Sequence, residues 1–304
     1  MLAGFTLGLI ATFFWSLTNL IDKYLVQRFT SDLGIGPLLL LSAFFPGLLM
    51  PVALLLTDQS INIPLLDIGI LLLSGILTVS WIYFYLGALY EEDVSIVMSL
   101  FQLTPIFALG TGYLLLSETP TQTQLLFGGM IVLGSVILSV ERSTGKFKLK
   151  LLAYISLASA LIALMNTAFK FSALDADFWV SIFWHGAGAF LTGLCIFCIH
   201  KTYRRNFKLY IKENWGIGLG LNALNETFTV IGDVFFAFAI LLAPLALIQT
   251  TEAYQPVFVF IFGSVLTILF PKWFSEDISR SALIQKIIGI TIIVIGSIML
   301  ITKN

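Results

Sequence analysis

Thr104-Pro105-Ile106-Phe107 and Gln255-Pro256-Val257-Phe258 occupy matching places in two similar halves of the chain. Each follows a short Ala-containing pair, Gly87-Ala88 or Phe238-Ala239, at the same spacing. Proline removes a backbone donor and crowds the preceding helical turn, so it interrupts a helix. A duplicated unit whose helix is interrupted at the same place in each copy is typical of membrane carriers. The sequence therefore predicts two repeats, broken at Pro105 and Pro256.

The composition excludes a soluble globular protein. Of the 304 residues, 58% are hydrophobic and only 11% are charged, whereas soluble domains are about one quarter charged. The net charge is -1 and no Lys/Arg tract is present, so nucleic acid is not an expected partner. The N-terminus lacks the basic region and cleavage site of a signal peptide, so the first apolar run is predicted to stay in the membrane. We expect an integral protein of the cell (inner) membrane.

An all-α integral membrane fold follows from the lengths of the apolar runs. A helix needs about 20 mostly apolar residues to cross a bilayer core of about 30 Å. By this criterion the sequence predicts ten transmembrane helices, with the remaining residues forming connectors: 3–25, 34–57, 66–89, 94–116, 123–140, 149–170, 177–199, 215–240, 244–270 and 283–301.

Two inverted five-helix repeats are predicted from the span count. The first repeat covers 1–141 and the second 149–304, joined by a basic linker at 141–148. Because five is odd, the second copy crosses the membrane in the opposite sense. Lysine and arginine crowd the odd-numbered connectors, above all 200–214. The positive-inside rule then places those connectors in the cytoplasm and both termini on the other side.

A second internal match supports duplication. Asn19-x-x-x-Lys23 in span one corresponds to Asn166-x-x-x-Lys170 in span six. Both lysines lie near the ends of their spans, so we expect them to snorkel towards the interface.

The chain resembles the drug/metabolite transporter superfamily, in its ten-span EamA-like form, over essentially its whole length. The resemblance rests on the two halves, the prolines, Trp15 four residues before Asn19, and the turn Ser117-Glu118-Thr119. The second half departs from the pattern in its longer turn at 271–277. The resemblance implies transport of a small molecule without a cofactor. Such transporters carry amino acids, sugars, nucleotide sugars, amines or drugs, so the resemblance does not choose a substrate.

Span eight carries acids on one helix face. Asn222, Glu226, Thr229 and Asp233 are spaced four, three and four residues apart, which aligns them on one stripe. A carboxylate at mid-membrane costs about 2.5–3.5 kcal/mol on insertion scales, and such groups are usually functional. The alternative is that the acids are permanently protonated or paired and only hold the helices together.

Span nine adds polar residues directly before Pro256. Glu252 and Tyr254 lie there, and the proline should leave the carbonyl of Glu252 available. Glu226 is the leading candidate for coupling or for binding substrate charge, with Asp233 and Glu252 in support. All of these acids lie in the second half, so the chemistry is predicted to lie there too. Glu118 is explained by helix capping around Thr121.

The other candidate site residues are aromatic or carry amides: Trp15, Asn19, Trp81, Tyr85, Gln102 and Asn166. An aromatic cage around an ammonium group is one use for the rings, for which Tyr83 and Trp184 also qualify. His185 is either a proton shuttle or a packing residue. Cys195-x-x-Cys198-x-His200 lies at the end of an apolar helix, and no metal is predicted.

The predicted function is secondary active transport of a small amine-containing or zwitterionic metabolite by alternating access. Proton-coupled efflux is one form of it, and uptake of a quaternary amine such as choline is an alternative. A lipid-carrier or scaffolding membrane component is an alternative of a different class, and an enzyme is not expected. The predicted partners are a cationic or zwitterionic solute, protons and the bilayer. The central cavity should be lined by spans one, three, four, six, eight and nine.

Overall fold

The computed structural model of the chain describes residues 2–30, 32–119, 121–138, 148–270 and 279–302. The regular secondary structure of this part of the chain is entirely helical and contains no strand. Two short 3-10 segments, Phe101–Leu103 and Thr250–Tyr254, interrupt the α-helices. The helices in chain order are α1 Leu2–Phe29, α2 Gly36–Phe44, α3 Pro46–Leu56, α4 Leu65–Glu91, α5 Val94–Leu100, α6 Thr104–Leu116, α7 Gln122–Leu138, α8 Leu149–Ala173, α9 Phe178–Ile199, α10 Lys201–Glu213, α11 Ile217–Leu242, α12 Leu245–Gln249, α13 Gln255–Leu269 and α14 Arg280–Thr302.

Seven helical segments in the described residues are long and apolar enough to cross a membrane. They are α1, α2 with α3, α4, α5 with α6, α8, α9 and α11. This confirms the all-α integral membrane class. The other three predicted spans coincide with α7, with α12 and α13, and with α14. A total of ten spans and the inversion of the second repeat stay predictions.

Both interrupted helices have the same local form. Pro105 is the second residue of α6, and the 3-10 segment Phe101–Leu103 precedes that helix. Pro256 is likewise the second residue of α13 after Thr250–Tyr254. Proline is tolerated in the first turn because the backbone N–H there needs no helical partner. Each proline therefore starts a new helix, and the chain before it tightens into 3-10 geometry.

Helices from the two halves pack against each other in matched pairs. The helix α1 packs along α11, and α4 packs along α8. The first pair is antiparallel, since Gly4 lies beside Leu242 and Gly218 lies beside Phe29. In the predicted span numbering, α1 and α11 are spans one and eight, and α4 and α8 are spans three and six. Exchanging the two halves of the chain therefore converts one pair into the other. The hydrophobic core runs between these pairs and includes residues of both halves.

The basic segment predicted as the connector 200–214 is instead the α-helix α10. Its N-terminus is capped by His200, whose Nδ1 accepts from the N–H of Tyr203 at 3.3 Å. Tyr210 is fully buried against the bundle, whereas Lys208 and Lys212 are exposed. One apolar face and one basic face make α10 an amphipathic helix of the kind that lies along a membrane surface. The linker residues 141–147 and the turn 271–277 lie outside the described residues.

Candidate substrate-binding cavity

A cavity of about 180 Å³ lies among the helices of both halves. Side chains of spans one, three, four, six, eight and nine line it, as predicted, and spans two and seven also contribute. Ser42 of α2 and His185 of α9 are the polar residues that these two extra spans supply. Eight of the sequence-predicted candidates line the cavity: Trp15, Asn19, Trp81, Tyr85, Asn166, Glu226, Asp233 and Glu252.

The cavity is acidic. Four carboxyl groups line it, those of Asp22, Glu226, Asp233 and Glu252, and no lysine or arginine is among the described lining residues. The ion pairs found in the described part of the chain do not involve these four acids. An uncompensated carboxylate in an apolar setting is costly, and a bound proton or a positively charged ligand lowers that cost.

Neutral donors hold the two acids of α11. The Ser42 hydroxyl donates to Oε1 of Glu226 at 2.5 Å, and Glu226 is only 3% exposed. The indole Nε1 of Trp15 donates to Oδ1 of Asp233 at 3.0 Å. The Asp233 side chain is exposed to the cavity. Glu226 is thus a buried carboxyl at the cavity wall, whereas Asp233 is the more exposed of the two.

A glycine makes the contact of Trp15 with Asp233 possible. A Cβ atom at Gly232 would lie 2.6 Å from Nε1 and 2.8 Å from Cδ1 of the Trp15 indole. Only hydrogen at this position lets the ring cross α11 and reach the next residue.

Asp22 is the site residue that the sequence analysis missed. Its Oδ1 accepts from Nδ2 of Asn225 at 2.8 Å, and its Oδ2 lies 2.9 Å from the Tyr85 hydroxyl. The same hydroxyl is 2.8 Å from Oδ1 of Asn19. The spacing of Asn19 and Asp22, three residues apart on α1, was a usable signal. The prediction that the second half alone carries the membrane-embedded acids is therefore wrong.

Gln102 has a structural position rather than a place in the cavity wall. It is fully buried, and its Nε2 donates to the backbone carbonyl of Glu252 at 2.7 Å. That carbonyl is four residues before Pro256, so it is the one that the proline deprives of an α-helical donor. The backbone N–H of Gln255 already donates to this carbonyl in 3-10 geometry, so Gln102 supplies a second donor and links the two interrupted spans. The expected availability of this carbonyl to a ligand is thus wrong.

Asn222 and Tyr254 do not line the cavity either. Asn222 is 3% exposed and lies one helical turn before Glu226 on α11. One turn further, Phe29 of α1 packs against Gly218 on the same face of α11. Tyr254 follows Glu252 in the 3-10 segment. With about three residues per turn, a side chain two positions along leaves the face that Glu252 occupies.

The aromatic residues divide into two groups. The Trp81 and Tyr85 rings lie 5.8 Å apart, and both meet Phe101 edge-on at the cavity. Tyr83 and Trp184 do not line it. Tyr83 is 40% exposed, and Trp184 donates to the carbonyl of Ile61 at 3.0 Å.

His185 has hydroxyl partners at the cavity wall. Its Nδ1 lies 2.8 Å from the Ser74 hydroxyl, and its Nε2 lies 3.4 Å from that of Thr78. The ring also meets Phe169 edge-on. These contacts orient the imidazole between α4 and α8.

The matched lysines bind helix ends in their own half of the chain. Lys170 is 6% exposed, pairs with Glu118 at 2.9 Å and donates to the carbonyl of Ala243 at 2.8 Å. Lys23 donates to the carbonyls of Leu89 and Glu92, at 2.7 and 2.6 Å. A cation at a helix C-terminus is stabilised by the helix dipole and by the unpaired carbonyls. Snorkelling is therefore wrong for Lys170, which is buried in an ion pair.

Glu118 caps a different helix from the one expected. Its carboxylate accepts from the backbone N–H of Leu245 at 3.2 Å, the first residue of α12. Besides the predicted capping around Thr121, which stays a prediction, Glu118 thus links the two halves of the chain.

No group of three potential metal ligands occurs in the described ranges. Cys195 and Cys198 are exposed free thiols on α9.

Comparison with known proteins agrees with this fold. Residues 2–140 match the EamA-like transporter family. A solved structure described as "Crystal structure of protein" aligns over 97% of this chain and 95% of its own length, with a TM-score of 0.63 at 16% sequence identity. No curated protein matches the chain. The family resemblance predicted from the sequence is confirmed by the match over residues 2–140, which supports a relationship to the drug/metabolite transporter superfamily and suggests a membrane transporter of small molecules.

Proposed function

We propose that the protein is a secondary active transporter of a small amine-containing or zwitterionic metabolite, working by alternating access as a proton-coupled exporter. One observation carries this proposal. Four carboxyl groups from both halves line one cavity, and no lysine or arginine is among its described lining residues. A positively charged group is the ligand chemistry that such a cavity stabilises.

The wall of the cavity favours an organic cation over a bare metal ion. Apolar side chains such as Ile82, Ile162 and Val234 lie beside the acids. Trp81 and Tyr85 present ring faces or edges at the same cavity, and aromatic rings attract organic ammonium groups. A ligand with an ammonium head and an apolar body uses both kinds of surface.

Alternating access is supported by the paired architecture. The interrupted segments of spans four and nine meet where Gln102 donates to the carbonyl of Glu252. The pairs α1 with α11 and α4 with α8 are equivalent when the halves are exchanged. In inverted-repeat carriers, two such equivalent arrangements open the central site to one side and then to the other.

Proton coupling is supported by the environment of the acids. Glu226 has a neutral hydroxyl donor and Asp233 a neutral indole donor. When a cationic substrate leaves, protons are the available replacement for its charge. Entry of protons from one side and of substrate from the other then drives exchange.

The test is transport by the purified full chain in proteoliposomes with an imposed pH gradient. Glu226→Gln should abolish gradient-driven amine transport while leaving the yield of folded protein unchanged. Glu213→Gln, on the exposed face of α10, is the matched control and should transport normally. Unaltered pH-dependent transport by Glu226→Gln would remove this residue from the mechanism.

Uptake of a quaternary amine such as choline is the second candidate. The observation that favours it is the Trp81–Tyr85 ring pair beside Asp22, since a quaternary ammonium group has no N–H to donate and binds ring faces well. Thermal stabilisation by choline but not by primary amines would select it.

A scaffolding or lipid-carrier role predicts no stabilisation by any small cation. Stabilisation by anions alone would refute the proposal of an acidic substrate site.

We also propose that both termini face away from the cytoplasm in the inner membrane. The basic helix α10 then lies at the cytoplasmic surface, in keeping with the positive-inside rule. A cysteine introduced at Glu213 in a cysteine-free background should react with an impermeant reagent only after the cytoplasmic face is opened. Reaction in intact cells would reverse the orientation.

A further inference from the structure

The carboxyl groups of the cavity lie at two levels along the paired helices α1 and α11. Glu226 and Asp233 are seven residues apart on α11, and both line the cavity. At 1.5 Å per residue this separation is about 10 Å along the axis, and about two helical turns keep both residues on one face.

Contacts with α1 fix which acid belongs to which level. Asp22 lies beside Glu226, because Asn225 donates to it at 2.8 Å. Trp15, two turns earlier on α1, donates to Asp233 at the other level. The antiparallel packing of the two helices keeps these levels apart. On α1 and α11, one level therefore has two acids, Asp22 and Glu226, and the other has Asp233, while the fourth lining acid, Glu252, lies on the 3-10 segment before α13.

The helix surface between the two levels offers no charge. Val230 and Thr229 are the α11 residues that line the cavity there. The Thr229 hydroxyl donates to the carbonyl of Asn225 at 3.0 Å, so its proton is already used within the helix. Along α11, a ligand that spans the levels thus meets a carboxyl group at each end and a mainly apolar helix surface in the middle.

We infer that the ligand is a linear dication, an α,ω-diamine whose two ammonium groups bind Asp22 with Glu226 and Asp233 while its methylene chain lies along Val230. The inference rests on the proposed function and narrows its substrate class. A monoamine would satisfy one level and leave the other acid without a counter-charge. A diamine supplies one positive charge to each level.

The distance between the two levels sets the length of the diamine's methylene chain. An ammonium group lies about 2.8 Å from the carboxylate oxygen that it binds. Two such contacts across levels about 10 Å apart leave roughly 5–8 Å between the nitrogens, the reach of about three to five methylene groups. Shorter diamines cannot bridge the levels, and longer ones must fold.

The test is a chain-length series measured by calorimetric binding to the purified full chain. The probes are α,ω-diamines of about three to eight methylenes and the n-alkyl monoamines of equal length. A diamine of intermediate length should bind about tenfold more tightly than its matched monoamine, which corresponds to about 1.4 kcal/mol. Asp233→Asn should bring the diamine to monoamine affinity and remove the length optimum, and Glu213→Gln should change neither.

Each contrary outcome has its own meaning. Equal affinities for diamines and monoamines at every length would overturn the dication inference and leave cation transport intact. A length optimum that survives Asp233→Asn would overturn the assignment of the second head to that residue. Absence of binding by every amine, with folding verified by the melting midpoint, would overturn the proposed function itself.

Discussion

Two helix contacts in the bundle differ in what brings the helices together. In the α4–α9 contact, a Cβ at Gly75 would lie 2.3 Å from the His185 carbonyl oxygen, and one at Gly188 would lie 2.3 Å from that of Leu72. In the α1–α11 contact, side chains meet through Trp15–Asp233 and Asp22–Asn225. The first contact brings backbone against backbone, with His185 hydrogen-bonded to Ser74 and Thr78 beside it, and involves no carboxyl group. The second places the acids on the cavity.

The difference separates a structural contact from a chemical one. Close approach of glycine-bearing helices gains dispersion energy and admits no extra atom. Hydrogen bonds between side chains of α1 and α11 hold polar atoms at the cavity. Substitutions in α4–α9 should therefore affect stability, and substitutions in α1–α11 should affect binding more than stability.

The largest expected effect is that of Gly75→Ala. The new methyl group would meet the carbonyl of His185 and the N–H of Ala189, and neither backbone can move without displacing α9. We expect the free energy of unfolding to fall by about 3 kcal/mol, which is at the upper end of the cost of overpacking. The measurement is the unfolding midpoint in detergent. Gly69→Ala on the same helix, where nothing lies within 4 Å, is the control, and equal midpoints for the two variants would contradict the close contact.

Lys170→Met tests the polar end of α11. The substitution removes the ion pair with Glu118 and the donor to the Ala243 carbonyl. Breaking a fully buried pair costs 3–5 kcal/mol, and since Glu118 is one quarter exposed, we expect a loss of about 2 kcal/mol. Adding Glu118→Gln should restore part of the loss, because no unpaired charge then remains. Strict additivity of the two effects in a double-mutant cycle would show that the pair is not coupled.

Gly232→Ala should separate binding from stability. The methyl group would displace the Trp15 indole and break its hydrogen bond to Asp233. A side chain can move where a backbone cannot, so the stability loss should be about 1 kcal/mol, while amine affinity falls more than tenfold. Gly220→Ala, in open space on the same helix, should leave both quantities unchanged. A stability loss as large as that of Gly75→Ala would erase the distinction between the contacts.

Ser42→Ala should have the smallest effect. It removes the hydroxyl donor to Oε1 of Glu226, and hydrogen bonds between membrane helices contribute about 0.6 kcal/mol on average. We expect a small drop in the unfolding midpoint and a change of about threefold in amine affinity. Loss of transport altogether would show that Ser42 binds the solute directly.

Local sequence was enough for several parts of the structure. The interruptions at Pro105 and Pro256 follow from proline chemistry, and the common face of Glu226 and Asp233 follows from the helical period. The membrane class follows from the length of the apolar runs. The helix α10 was missed because a charged segment resembles a loop when only hydropathy is followed.

Contacts between distant segments were beyond such reasoning. Gln102 and the carbonyl that it binds are 150 residues apart, so no spacing rule assigns one to the other. Asp22 enters the cavity only because Asn225 and Tyr85 lie opposite it on neighbouring helices.

The sequence by itself determined that the chain is embedded in a membrane, where its two proline-bearing spans are interrupted, and that α11 carries acids on one face. These properties depend on neighbouring residues along one helix. Only the tertiary structure decided that Asp22 joins Glu226 and Asp233 in the cavity, that Asn222 and Tyr254 do not, and that Glu118 pairs with Lys170. The reason is physical: which side chains share a cavity depends on the register and rotation of packed helices, and those are set by contacts distributed over the whole bundle.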